Sequence, residues 1–329
     1  MTVSILLGIA IAIVATWGAL ALWIRAPLSP AWKCAIVLAW IVAALAGIAG
    51  LASHTWRPGL YVYCVALVAL LAWWLRIRPS NDRPWIPEVA RQTHGKVEGN
   101  AVTLHNVRNF EWRSRTDFTP RWETRRYSLD DLQSVDVALS YWGRPAIAHA
   151  LVSFGFDGDD HVVFSVEIRR KQEDRFSEIG GFFKAYELSV IASTEADSLR
   201  VRTNVRGEDS YLYRVHMPEG AARELFVAYV DAANRLQTTP RFYHTLTANC
   251  TTIVFQMARR IVPGLPMDYR QLLSGYLPEY LFKLDALRGA ASADEYRRLG
   301  RYTDRARATT DPADFSRNIR RGVPGIGEP

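Results

Sequence analysis

Cys250, inside the stretch HTLTANCTTIVFQMARRIV of residues 244–262, is the one cysteine of the chain outside its apolar N-terminal quarter, which holds Cys34 and Cys64. It opens a run in which Ile253, Val254, Met257 and Ile261 recur at helical spacing. At a helix start several backbone N–H groups have no intrahelical partner, and the peptide dipoles add partial positive charge. Both favour thiolate over thiol, and such positions lower a cysteine pKa from about 8.5 to roughly 3.5–7.5. The same amides can receive an oxyanion, with Asn249 and Thr251 as the cap and oxyanion candidates and Thr247 as a lesser capping choice. The chemistry offered is nucleophilic catalysis. The competing reading is a thiol that only fills the core, free cysteine being among the most buried residue types.

A thiol nucleophile needs a base, and the histidines outside the apolar quarter are His94, His105, His149, His161, His216 and His244. The stretch 147–168 reads as a hairpin, "AIAHALVSFGF" and "HVVFSVEIRR" flanking "DGDD". On the first strand Ala148, Ala150, Val152, Phe154 and Phe156 share an apolar face; on the second Val162, Phe164, Val166 and Ile168 do. Both faces must meet one core, so paired residue numbers sum to an even value. A three-residue loop, Asp157-Gly158-Asp159, fixes that sum at 316. This register sets His149 across from Glu167, close enough for the carboxylate to orient the ring and stabilise its cation. It sends His161 to the far end beside Gly155. His244, six residues before Cys250, stays as a rival base. A nucleophile at a helix start, a base on a strand and an orienting carboxylate make the cysteine form of a catalytic triad. The order of histidine before cysteine is the reverse of papain and suggests circular permutation.

The elements that must hold these residues read as an α+β domain, a run of strands followed by helices. "AVTLHNVRNFEWRS", "RWETRRYSL", "YELSVIAST", "LRVRTNVRG" and "SYLYRVHM" read as further strands. Pro218 and Glu219 open a helix through about Leu236, and a second helix runs from near Cys250 to a stop before Pro263-Gly264. The tail "RNIRRGVPGIGEP" reads as a loose end. No Cys/His cluster has zinc spacing, and a lone cysteine in the domain excludes a disulfide within it; neither metal nor cofactor is expected.

Before residue 80 stand three runs without Asp, Glu, Lys or Arg, Val3–Ile24, Cys34–Ala52 and Gly59–Leu75. Each matches the roughly 20 residues that cross a bilayer core. Trp17, Trp23, Trp32, Trp40, Trp56, Trp73 and Trp74 stand mostly near their ends, as an interfacial belt would. The first run lacks the basic flank of a signal peptide and is too long for one. Ala43-x-x-x-Gly47 and Ala46-x-x-x-Gly50 allow close helix packing. The expected organisation is three transmembrane helices over 1–78, a proline-marked linker over 79–92 and one thiol-enzyme domain over 93–329. Residues 1–83 carry six Lys/Arg and one acid, whereas the remainder carries 34 and 32. The basic balance therefore flanks the spans and is no nucleic-acid footprint. Arg25, Lys33, Arg76, Arg78 and Arg83 lean towards a cytoplasmic domain by the positive-inside rule, a bias that long domains override.

The text "LHNVRNFEWRS", "DFTPRWETRRYSLDDLQSVDVALSYWG", "IAHALVSFGF", "FSVEIRRK", "NVRGEDSYLYR" and "YHTLTANCTT" resembles the periplasmic-domain family of the bacterial lipoprotein N-acyltransferase Lnb, over about residues 100–285. The resemblance implies a fold similar to permuted papain-like, NlpC-type enzymes. It assigns the cysteine of "NCTT" to Cys250 and the histidine of "AHALVSFGF" to His149, while Glu167 rests on the register. It implies transfer of an acyl chain from membrane phospholipid to Cys250, then from the thioester to the amine of a lipoprotein N-terminus. It also implies a domain on the periplasmic side of the bacterial inner membrane. The spans stand N-terminal here, which leaves the acceptor open. Interleaved with aromatic residues, Arg113, Arg115, Arg121 and Arg125 read either as seats for lipid phosphates or as strand charges paired with Glu111, Asp117 and Glu123. The alternative activity is a cell-envelope cysteine hydrolase; a non-catalytic membrane module is the third reading.

Overall fold

Apolar composition decides the first eighty residues. The computed structural model describes residues 2–52 and 57–327. It divides into two compact units, Met1–Ser80 with Arg175–Tyr186, and Asn81–Asp174 with Glu187–Pro329.

In the first unit α1 (Thr2–Arg25), α2 (Pro30–Ala52) and α3 (Arg57–Arg76) are each long and apolar enough to cross a membrane. Small residues set their spacing: a Cβ on Gly18 would lie 2.7 Å from the Trp40 ring, and one on Gly47 2.9 Å from Tyr63. Trp40 is therefore not a belt residue. It is buried between helices, 5.5 Å from Tyr63, and its indole donates to Ala15 O at 2.8 Å. Trp56 lies outside the described residues. The segment 175–186 joins this unit through Lys184, whose ammonium sits 4.6 Å from the Trp74 ring and donates to Trp74 O.

Among the described residues the second unit holds ten strands: β1 (His94–Glu98), β2 (Ala101–Arg108), β3 (Glu111–Trp112), β4 (Phe118–Thr119), β5 (Trp122–Ser128), β6 (Leu132–Tyr141), β7 (Ala148–Phe156), β8 (His161–Arg169), β9 (Glu187–Ser193) and β10 (Asp209–Val215). Its helices are α4 (Glu195–Ser198), α5 (Ala221–Thr238), α6 (Cys250–Ile261), α7 (Leu277–Lys283), α8 (Ala293–Gly300), α9 (Thr303–Ala308) and α10 (Phe315–Arg320). The main sheet runs β1-β2-β9-β8-β7-β6-β10, with β5 on β2. The architecture is α+β. The sheet is mixed where an antiparallel one was expected: β2 meets β9 in parallel at Arg108↔Ser193.

One face of the sheet is aromatic. Phe154 and Phe164 lie against Phe226 and Tyr229 of α5 at centroid distances of 5.1 and 4.8 Å. The other face is also covered, so β7 is buried along its whole length. There α10 brings Arg320 onto Asp136 and Glu195, at 2.8 and 2.6 Å. The C-terminal residues are thus not loose: Phe315, Ile319 and Val323 are buried with Arg320, because its charge has its partners inside the domain.

Two further expectations change. Residues 199–207 are not a strand: Thr194 caps a helix that continues as a π-turn over Val201–Val205. The turn points Arg202 at two half-buried carboxylates, Glu208 and Glu167. Within the expected linker, residues 81–92 pack on the second unit. Asn81 donates to Leu236 O and Gln237 O, and Trp85 is buried 4.5 Å from the Arg169 guanidinium.

Candidate functional site

The hairpin of β7 and β8 has the register read from the alternation. Leu151 pairs with Ser165, Phe154 with Val162 and Gly155 with His161. Gly158 and Asp159 turn the loop at φ 73° and 62°, a left-handed conformation that glycine and aspartate tolerate best. The pairing stops at Leu151↔Ser165, yet β7 stays on β6 as far as Ala148↔Tyr141 and β8 on β9 as far as Arg169↔Glu187. The sheet forks there. His149 and Glu167 stand on the two tines.

Across the fork the His149 Nε2 is 3.1 Å from Glu167 Oε1 and 2.9 Å from Ser165 Oγ. Ser165 donates to the same carboxylate oxygen. With Nε2 so engaged, Nδ1 is the ring nitrogen left to serve the Cys250 thiol, whose charged form His149 favours. The Ala150 N–H, beyond the last β7–β8 pair, also favours the thiolate.

Cys250 is the first residue of α6 because Asn249 ends the preceding loop in a capping box. Its Oδ1 accepts from the N–H of Thr251 and Thr252 at 2.9 and 2.8 Å, and Thr252 Oγ1 accepts the Asn249 N–H. Asn249 is thus the cap and not an oxyanion donor, since its Nδ2 is committed to Thr245 O. The Thr251 N–H is committed to that cap as well, and the Thr251 hydroxyl lies 3.8 Å from the sulfur.

Electrostatics favours an ion pair. Burial opposes charge on His149, but the Glu167 carboxylate and the hydrogen bond to Cys250 outweigh it and raise the imidazole to about 9. Burial likewise pushes the thiol up, and the bond and charge of His149, with the Ala150 amide, bring Cys250 below its ordinary value. Glu167 is held well below the usual carboxylate range, burial being overcome by His149, Arg202 and Ser165.

His161 is remote, its Nδ1 on Asp159 O at 2.8 Å. The His244 Nδ1 faces the N–H groups of Leu246 and Thr247 in its own loop. The four arginines have partners of their own. Arg113 pairs with Asp117, Arg121 with Glu123, and Arg125 with Glu123 and Asp160. Arg115 donates to Arg206 O, and Trp112 is a buried donor to Asp197.

Sequence reasoning gave Ser165 no task, and it missed Arg202. That guanidinium lies 3.6 Å from Glu167 and 3.1 Å from Glu208, which in turn accepts from Ser140 at 2.6 Å. No sequence signal marked it, because the run it belongs to alternates like a strand. Among the described residues no group of His, Cys, Asp and Glu is arranged to hold a metal ion.

Residues 118–275 match the model of a family described as the Lnb N-terminal periplasmic domain. The chain matches no curated protein and no solved structure.

Proposed function

From the premise that this chain belongs, through residues 118–275, to the Lnb N-terminal periplasmic domain family, we propose that it is a membrane-anchored cysteine acyltransferase of the bacterial inner membrane. The family and the three apolar helices make it a membrane protein with a periplasmic domain. In the proposed reaction the Cys250 thiolate attacks the carbonyl of a phospholipid acyl ester. The oxyanion forms beside the start of α6, where the Cys250 amide is the donor outside the Asn249 cap. The His149 imidazolium protonates the departing lysolipid oxygen, leaving a thioester and a neutral ring. That ring then takes a proton from the attacking amine of a lipoprotein N-terminus, the new amide forms, and the thiolate leaves.

The observation that carries this reading is the hold of Glu167 and Ser165 on His149 across the fork, with Cys250 at the capped start of α6 and its charged form favoured by that imidazole. A purely structural thiol has no need of an imidazole whose other nitrogen is fixed by a carboxylate. Three spans in the same chain favour a lipid donor over a peptide. Water in place of the amine would make the enzyme a hydrolase.

Intact-mass measurement on the full chain, reconstituted with phospholipid, tests the proposal. We expect a gain of one fatty-acyl mass, released by hydroxylamine and lost in Cys250→Ala. Adding a diacylated lipopeptide should discharge the adduct onto its amine. A parent protein that never gains acyl mass, with or without acceptor, refutes lipid acyl transfer; discharge to free fatty acid alone makes it a hydrolase.

A further inference from the structure

Large apolar side chains crowd the end of the domain that carries the thiol. Met267 and Tyr269 are 75% and 62% exposed, and Trp142, Ile147, Leu246 and Leu272 are exposed as well. These residues lie on three loops that converge on the site. Ile147 precedes His149 by two residues, and Leu246 precedes Cys250 by four. The loop of Met267, Tyr269 and Leu272 runs into Ser274, which accepts the Ala148 N–H and donates to the Ala148 carbonyl at 2.9 and 2.6 Å. Gly275 N donates to Ala146 O, and the Tyr141 hydroxyl donates to Gly275 O. A Cβ on Gly275 would meet Pro145 O at 2.0 Å, so the two loops are in backbone contact.

Basic groups edge this apolar surface. The Arg259 guanidinium donates to Met267 Sδ at 3.4 Å, and Arg270 lies 5.5 Å from the Tyr269 ring. Arg144 is exposed between Trp142 and Ile147. Exposed apolar groups ringed by arginine suit the boundary between acyl chains and phosphates, the apolar tips reaching the former and the guanidiniums the latter.

We propose that the surface formed by Trp142, Ile147, Leu246, Met267, Tyr269 and Leu272 docks the catalytic end of the domain onto the phospholipid bilayer, so that an acyl ester enters the site without crossing water. The occupant is the bilayer because the apolar tips and the arginine edge match its two layers, and because this chain carries its own membrane spans. The inference rests on the acyltransferase reading and supplies it with a route for the donor.

Photolabelling separates the two. The full chain is reconstituted in phosphatidylethanolamine–phosphatidylglycerol vesicles doped with a phospholipid bearing a diazirine in its acyl chain. Irradiation should label peptides covering 142–147 and 264–275 as well as α1–α3. An apolar side chain withdrawn from water is worth roughly ten- to hundred-fold in partition. Met267→Asp with Leu272→Asp should therefore abolish the label on both loops. The same double variant should acylate Cys250 from vesicle lipid about ten-fold slower or worse, while a short-chain water-soluble thioester acylates it unchanged. Label confined to α1–α3 overturns the docking. So does equal loss with the soluble donor, which would mean a damaged site. Loops that are unlabelled but protected in a concentration-dependent dimer belong to a second copy, again overturning it. Loops that are labelled in a protein whose Cys250 accepts no acyl group from any donor uphold the docking and sink the acyltransferase reading.

Discussion

Cys250 and His149 titrate as partners, and the directions of their shifts define a pH window. The imidazole is raised from 6.5 to about 9, so its charged form contributes stability in full below its ordinary value, and that contribution is lost as pH rises through about 9. The thiol is lowered from 9.0, so thiolate is present above its depressed value. Acylation rate should rise on the acid side with the thiolate and fall on the alkaline side near pH 9, measured by stopped-flow with a water-soluble thioester. A rate that keeps climbing beyond pH 10 would mean that no imidazolium takes part. Glu167 can be probed by charge alone. Glu167→Gln keeps the side chain's shape and removes the charge that raises His149, so the alkaline limb should move below 9. The rate should fall on the order of 10²–10⁴-fold, the span that general acid–base groups contribute. A fall in rate with the alkaline limb unmoved would reduce Glu167 to a packing residue.

At the scale of elements, α6 is aimed by its cap. Asn249→Ala removes the acceptor of two amides and should cost about 1 kcal/mol of stability. It should also slow alkylation of Cys250 by iodoacetamide near neutral pH. Asn249→Asp keeps the acceptor and should recover the stability, yet its charge beside the sulfur should raise the pH at which alkylation sets in. If both variants alkylate like the parent, the cap does not tune the thiol. This cap was legible in the sequence, as was the β7–β8 hairpin, because each is governed by residues within about twenty positions of one another. Alternation put His149 opposite Glu167, and a three-residue loop fixed the register. β6 escaped notice although "LQSVDVALSY" alternates weakly, since Asp136 and Ser140 face a covered polar layer and not solvent. Residues 199–207 misled for the opposite reason. Their β-branched spacing resembles a strand, but Thr194 starts a helix whose π-turn serves Glu208 and Glu167, partners visible only in three dimensions.

For the whole domain, the polar face of the sheet depends on a residue from the far end of the chain. Arg320 is 8% exposed and pairs with Glu195 and with Asp136, which Arg214 also meets; both carboxylates have fully buried side chains. Ser153 on β7 donates to Glu195, so this network sits on the strand that carries His149. Local pattern cannot reveal such a contact, which joins residues 184 positions apart. Removing one partner of a buried ionic group typically costs about 3–5 kcal/mol, because the remaining charges stay buried without compensation. Arg320→Met should therefore destabilise the domain by about that amount in denaturant titration of the detergent-solubilised chain. The sign of its pH dependence separates electrostatics from packing. In the parent, Arg320 holds Glu195 below its ordinary value, so the stability this carboxylate contributes is present above about 4.5 and lost as pH falls through the depressed value. In Arg320→Met the same carboxyl, still buried, should take up its proton at a higher pH. The gap between parent and variant should therefore be widest at neutral pH and narrow on acidification. Glu195→Gln in the Arg320→Met background should regain part of the loss at neutral pH. A gap that stays constant with pH would assign the cost to lost packing, and an Arg320→Met protein within about 0.5 kcal/mol of the parent would return the C-terminal residues to the surface.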